Sequence, residues 1–258
     1  MTEAFFRLQD VNVKFGGLHA VQDLSLSAEE GQIHALIGPN GAGKSTILNC
    51  VSRFYVPDSG SIEFEGRSLL DQPSWAIPGL GIGRTFQNIE LCMQMTVLEN
   101  VLVGMTPVIP RYSPFFPSRR RRRIEAEAVR EAETLLDGFG LLPERDALAS
   151  SLDYGRQKLL DLARALAGKP RLLLLDEPAA GQRNQDIEAL KTLLRQMARE
   201  RHITIILIEH VMQLVMGVAD KITVLNFGRK IAEGAPAEIR ADANVIEAYL
   251  GKGDHAAG

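Results

Sequence analysis

The chain has 258 residues, 45% hydrophobic and 24% charged, and its 29 Lys and Arg against 32 Asp and Glu give a net charge of -3. That composition fits a folded protein of one large domain or two closely joined ones, without the whole-chain basic footprint of a nucleic-acid binder. Two cysteines, Cys50 and Cys92, are too few for a disulfide scaffold, and with neither a signal-peptide pattern nor a run near the ~18 apolar residues of a membrane span, a cytosolic protein that reaches a membrane only through a partner is expected.

Phe6-Arg7-Leu8-Gln9-Asp10-Val11-Asn12-Val13 alternates apolar and polar residues, as a half-buried strand does. Phe15-Gly16-Gly17 marks a turn, and residues 20–26 return to the same alternation. After Glu29-Glu30-Gly31 comes the apolar run Ile33-His34-Ala35-Leu36-Ile37, then Gly38-Pro39-Asn40-Gly41-Ala42-Gly43-Lys44-Ser45-Thr46, then a helical pattern from Ile47. The spacing fits the P-loop pattern Gly-x-x-x-x-Gly-Lys-[Ser/Thr] in its strand–loop–helix context. Glycines let several N–H groups face one anion, and the helix start adds more. Lys44 reaches terminal phosphates and the Ser45 hydroxyl suits magnesium. Pro57-Asp58-Ser59-Gly60 turns the chain into a short strand over 61–65, so the first third mixes antiparallel strands with one phosphate-binding unit. Cys50 and His34 read as packing residues, His19 and His202 as surface or turn residues, and the five histidines suggest no metal cluster.

Residues 79–87 are punctuated by glycine, as a short strand feeding a loop. Thr96 and Glu99 make a capping box, after which Val97, Leu98, Val101 and Leu102 form one apolar face. The stretch from Pro107 to Pro117, with Pro110, Pro114, Tyr112, Phe115 and Phe116, reads as a loop. Arg119 to Arg123 is an unbroken arginine run with two readings: a contact for anionic lipid headgroups, or a solvated helix start balanced by Glu125, Glu127, Glu131 and Glu133, which is favoured. Residues 124–139 are helix formers and Gly140 sits at a stop. Residues from about 90 to about 160 therefore read as helical, inserted in an α/β body.

Leu172-Leu173-Leu174-Leu175 is a buried strand that ends in Asp176-Glu177-Pro178, and Ile203 to Ile208 is a second that ends in Glu209-His210. An amphipathic helix over 187–199 lies between them. Carboxylates at the tip of such a strand stand where open α/β sheets bind ligands. Asp176 there suits magnesium, Glu177 suits orienting a water and taking its proton, and His210 reaches the same edge. Residues 222–225 and 229–232 pair across Asn226-Phe227-Gly228, residues 244–250 form a short helix, and His255 to Gly258 form a frayed tail.

Together these motifs resemble the ATP-binding-cassette transporter ATPases, and most of all the ATP-binding subunits of high-affinity branched-chain amino acid importers, over residues 6–250. The subfamily flavour lies in Gly81-Ile82-Gly83-Arg84-Thr85-Phe86-Gln87-Asn88, in residues 95–101, in residues 176–181 and in residues 227–234. The resemblance implies an α/β P-loop ATPase core with an antiparallel β subdomain (residues 1–89 and 161–258) and an inserted helical subdomain (residues 90–160). It implies that Phe15 stacks on adenine, that Gly38 to Thr46 hold the phosphates of ATP, and that Ser45, Gln87 and Asp176 hold Mg2+. It implies that Glu177 is the catalytic carboxylate, His210 the switch histidine, and Gln87 the glutamine that senses the permease. Leu152-Asp153-Tyr154-Gly155-Arg156-Gln157 then occupies the signature, whose Asp153, Gly155 and Arg156 face the ATP of an opposed subunit. Implied partners are integral membrane permease subunits, a second ATPase subunit, identical or different, and indirectly an extracytoplasmic solute-binding protein, with no nucleic acid. The implied place is peripheral, on the cytoplasmic face of the inner membrane.

Three departures from the family pattern stand out. Asp153 occupies a serine position of the signature, and a carboxylate aimed at phosphate costs on the order of 4 kcal/mol at ~4 Å and an effective dielectric of ~20. Either Asp153 turns away, or it binds a proton, or this half-site closes poorly; Arg156, where glutamine is usual, is a candidate to offset it in part, since an arginine forks onto a carboxylate or a phosphate. Gln182-Arg183 replaces the usual D-loop pair, and Val211 follows His210 where an aspartate is common. Rival readings are an importer of urea, a short amide or another small polar solute, a regulatory module that binds ATP without hydrolysing it, and a soluble ATPase of ribosomes or DNA, which the near-neutral charge and single cassette argue against.

Overall fold

The computed structural model describes residues 4–108 and 119–250. Most of the proline- and aromatic-rich stretch from Pro107 to Pro117, and the tail at His255 to Gly258, lie outside the described residues. Contacts divide the chain into one unit of residues 1–77 and 174–258 and another of residues 78–173.

The first unit opens with β1 (Phe6–Phe15) and β2 (Leu18–Ala28), an antiparallel pair whose alternating apolar residues point to one buried side. β3 (Ile33–Ile37) is buried at every position and leads through the glycine loop into α1 (Lys44–Val51). The helix begins three residues earlier than its apolar pattern suggests, because Lys44 already follows the left-handed Gly43. β4 (Ser59–Phe64) and β5 (Arg67–Ser68) complete a four-stranded antiparallel sheet in the order β2-β1-β4-β5. Trp75, the one tryptophan of the chain, stands 75% exposed on a short 3-10 turn, Ser74–Leu80.

The second unit holds β6 (Ile82–Arg84), α2 (Val97–Gly104), α3 (Arg119–Gly138) and α4 (Tyr154–Ala167). The Thr96 hydroxyl accepts from the Glu99 N–H at 3.1 Å while the Glu99 carboxylate accepts from the Thr96 N–H at 2.7 Å, the reciprocal cap expected from the residue types. The buried face of α2 differs from the apolar expectation. It carries Val97, Asn100 and Val101, whereas Leu98 and Leu102 are only partly covered. Asn100 is accommodated because its amide donates to the carbonyls of Cys92 and Thr96 at 3.1 and 3.0 Å and its oxygen accepts from the Cys92 N–H at 2.9 Å. α3 takes in the arginine run as its first turns, the helix start favoured from the residue types, so the helix begins at Arg119 rather than at Ile124. Gly140, at φ +64°, ends that region by donating to the Asp137 carbonyl.

β7 (Leu172–Asp176) returns the chain to the first unit, followed by α5 (Asn184–Glu200), β8 (Thr204–Ile208), α6 (Met212–Val218), β9 (Lys221–Asn226), β10 (Arg229–Gly234), α7 (Pro236–Ala241) and α8 (Ala243–Leu250). Five strands stand in the order β10-β9-β3-β8-β7, with β3 parallel to both β8 and β9 and with β9 and β10 a hairpin. β3, β7 and β8 are covered on both faces, which is why their sequences are continuous apolar runs. Their C-terminal ends deliver Gly38, Glu177 and Glu209-His210.

Candidate nucleotide site

In the first unit, the loop from Gly38 to Gly43 must bend where side chains do not fit. Gly38 has φ +149°, and a Cβ there would fall 2.1 Å from the Leu225 carbonyl oxygen; at Gly43, φ +96°, it would fall 2.3 Å from that of Ala20. Gly43 caps α1 without a side chain, so no side chain covers the first N–H groups of the helix. The turn between β9 and β10 supports the loop from behind: the Gly228 N–H donates to the Ala42 carbonyl, and Arg229 forks onto the Gln22 oxygen at 2.8 and 3.0 Å.

Lys44 curls back over this loop. Its ammonium donates to the carbonyls of Gly38 and Pro39 at 2.8 and 3.0 Å. Burial pushes its pKa down, and the nearby Glu177 and Asp176 carboxylates oppose that shift. Asp176 is buried at the end of β7. Glu177 follows at φ +52°, with its N–H donating to the Ile208 carbonyl at 2.9 Å. His210 Nδ1 lies 3.7 Å from Glu177 Oε1, and its ring is half exposed. The candidate residues at the ends of β3, β7 and β8 thus come together at one end of the sheet. Ser45, in the first turn of α1, and Asp176 offer the hard oxygen donors that magnesium takes. Among the described residues no cluster of His, Cys, Asp and Glu makes a separate metal site.

One residue of this cluster is not evident from sequence. Glu209 is fully buried: its Oε1 accepts from the Ala179 N–H at 2.7 Å, and its Oε2 from the N–H groups of His210 and Val211 at 2.8 and 2.9 Å. Its place immediately before a histidine, at the end of an apolar strand, is the only signal that could have found it. After Glu177, the Gln182 side chain folds back to the Pro178 carbonyl at 3.1 Å, and the Arg183 N–H donates to Asp186 at the start of α5. Phe15, at the end of β1, is half exposed and meets Tyr55 edge to face at 5.2 Å.

In the second unit, Asp153 is the cap of α4: it accepts from the Arg156 N–H at 3.0 Å. Its carboxylate therefore bonds to the first turn of its own helix. The expected fork of Arg156 onto Asp153 does not occur. The Arg156 guanidinium donates instead through Nη2, to Glu144 at 2.6 Å and to the Gly140 carbonyl at 2.8 Å. Gly155 is exposed beside it. Gln87 is exposed, and its backbone is fastened to α4: Lys158 donates to the Gln87 carbonyl at 3.4 Å, and Asp161 accepts from the Phe86 N–H and from Arg164.

Comparison with known proteins gives the same picture over nearly the whole chain. Residues 21–180 match the model of the ABC transporter family, and residues 229–255 that of the branched-chain amino acid ATP-binding cassette transporter. The chain is 41% identical to the high-affinity branched-chain amino acid transport ATP-binding protein LivG of Salmonella typhimurium, over 98% of this chain and 100% of that protein. It is 39% identical to the corresponding protein BraF of Pseudomonas aeruginosa, with the same coverage. A crystal structure of the ADP conformation of an ATP-binding cassette of an ABC transporter superposes with a TM-score of 0.83 at 30% identity, covering 97% of this chain and 100% of that one.

Proposed function

The chain belongs to the ABC transporter family of ATP-binding subunits, and from that premise we propose how its own residues do the work. It is the ATP-binding and ATP-hydrolysing subunit that powers a membrane importer for branched-chain amino acids. It works with membrane permease subunits and associates peripherally with the membrane through them; among the described residues no helix is long and apolar enough to cross one.

The observation that carries the reading is the meeting of the Lys44 loop with Asp176, Glu177 and His210 at one sheet end. ATP phosphates take backbone N–H groups of the Gly38–Thr46 loop other than Pro39, which has none, and Lys44 exchanges its two carbonyl partners for them. Ser45 and Asp176 would hold Mg2+, which would neutralise phosphate charge when bound, and Gln87 keeps the role of permease sensor. Glu177 orients the attacking water and accepts its proton. His210 donates to the γ-phosphate or to the attacking water, and Phe15 stacks on adenine. Asp153, Gly155 and Arg156 face the ATP of an opposed cassette, and a second ATPase subunit whose signature keeps its serine would leave the pair with one strong hydrolytic site. Residues 90–160 act as the helical subdomain of a core made by 1–89 and 161–258. The assembly lies on the cytoplasmic face of the inner membrane and receives solute from an extracytoplasmic binding protein.

The test is purification of the tagged chain from its native membranes in mild detergent. Two hydrophobic subunits should accompany it, branched-chain amino acids should stimulate its ATPase activity once a binding protein is supplied, and Glu177→Gln should abolish turnover while ATP still binds. Stimulation by urea or a short amide alone would replace the solute, and recovery without membrane subunits would remove the importer reading.

A further inference from the structure

Burying a carboxylate is costly unless hydrogen bonds replace its water. Glu209 meets that condition with three backbone N–H groups drawn from two separate loops. The Ala179 N–H comes from the turn that starts at Glu177, whose carbonyl accepts from Ala180. The other two come from His210 and Val211, at the start of the segment leading into α6. The Glu177 N–H also ties its turn to the end of β8, donating to the Ile208 carbonyl. Glu177 itself sits at φ +52°, a conformation that residues with a side chain rarely adopt and that persists only when its surroundings hold it.

We infer that Glu209 is a positioning residue for ATP hydrolysis: by accepting from Ala179 on one oxygen and from His210 and Val211 on the other, it sets the spacing between the Glu177 carboxylate and the His210 imidazole. Being fully buried, it acts through the two loops it joins. An amide at this position would turn an N–H toward backbone N–H groups, and an aspartate, one methylene shorter, would fail to span both loops. The inference rests on the assignment of Glu177 and His210 to hydrolysis made above.

The test uses the full chain with magnesium and ATP. It compares Glu209→Gln, Glu209→Asp, Glu177→Gln and the double variant Glu177→Gln/Glu209→Gln, with residual rates read by single turnover. Both Glu209 variants should lose at least tenfold in kcat with the KM for ATP within twofold, since the Lys44 loop is untouched. The double variant should turn over within twofold of Glu177→Gln alone, because a residue that acts through Glu177 has nothing left to position. Thermal unfolding scores folding first; if Glu209→Gln does not fold, Glu209→Asp, which keeps the charge, decides the matter. A kcat within twofold of the parent, a KM that rises as kcat falls, or losses that multiply in the double variant would each overturn the inference. Full turnover by Glu177→Gln would instead overturn the assignment beneath it.

Discussion

His210 Nδ1 stands 3.7 Å from Glu177 Oε1, beyond hydrogen-bonding distance yet close enough that a small turn of either side chain closes the gap. The two residues reach this spacing from the ends of different strands. His210→Ala should therefore lower kcat by about 100-fold while leaving ATP binding nearly intact, the size of effect general acid–base groups produce. Steady-state ATPase assays paired with equilibrium nucleotide binding check it.

Gly38 and Gly43 are the positions where the phosphate loop leaves no room. Gly38→Ala puts a methyl 2.1 Å from the Leu225 carbonyl oxygen and Gly43→Ala puts one 2.3 Å from that of Ala20, in backbone conformations that side chains rarely adopt. Each should cost about 3 kcal/mol of stability and abolish nucleotide binding. Gly41→Ala, where a Cβ meets open space, should cost less despite its positive φ. Chemical denaturation of the three variants separates clash from backbone strain.

His34 gives the fold a pH dependence. Its ring lies in the core between the Ser27 carbonyl and the Thr223 hydroxyl, and burial first, then the Lys221 charge, pushes its pKa down to about 4; Lys230 acts in the same direction and Glu233 against it. Below pH ~6.5 the unfolded chain takes up a proton that the folded chain refuses, so stability complete above that pH falls, by on the order of 3 kcal/mol, as pH approaches 4. Glu233 works in a lower window. Burial opposes it, but hydrogen bonds from Lys221 and Lys230 hold its pKa at about 2, so its contribution is lost only as pH falls from about 4.5 toward 2. Urea unfolding of His34→Gln should lose the slope between pH 6.5 and 4 and keep the lower one.

Asp153 and serine are near equals as helix caps. Asp153→Ser should keep the stability of α4 and raise ATPase activity in the assembled transporter, where the hydroxyl meets an opposed phosphate. Asp153→Ala should cost about 1 kcal/mol of stability and give a smaller gain, since it removes the charge without supplying the hydroxyl. Melting temperatures and turnover of the reconstituted complex distinguish the two; unchanged turnover with serine would remove the electrostatic account of this position.

How much of the molecule is legible in its sequence depends on how local the physics is. The apolar runs of β3, β7 and β8, the Thr96–Glu99 cap and the glycine loop with Lys44 depend on neighbours within a few residues, and each can be read from the residue types and their spacing alone. Glu209 cannot, since its burial needs an N–H from Ala179, thirty positions away. Arg156 misleads for the same reason: the carboxylate nearest in sequence is occupied as a helix cap, and its actual partner is Glu144, in a 3-10 turn twelve residues earlier. Asn100 takes a core position that a purely apolar pattern assigns to leucine, because the Cys92 and Thr96 carbonyls satisfy it.

Trp75 carries a consequence for experiment. As the sole indole of the chain and three-quarters exposed, it already emits from an aqueous setting, so its fluorescence changes little when the protein unfolds, and acrylamide quenches it in either state. Denaturation is better followed by circular dichroism. That same silence makes the indole a clean optical probe of its own surroundings: a blue shift during assembly or turnover marks a surface arriving at the Ser74–Leu80 turn, free of any signal from the core.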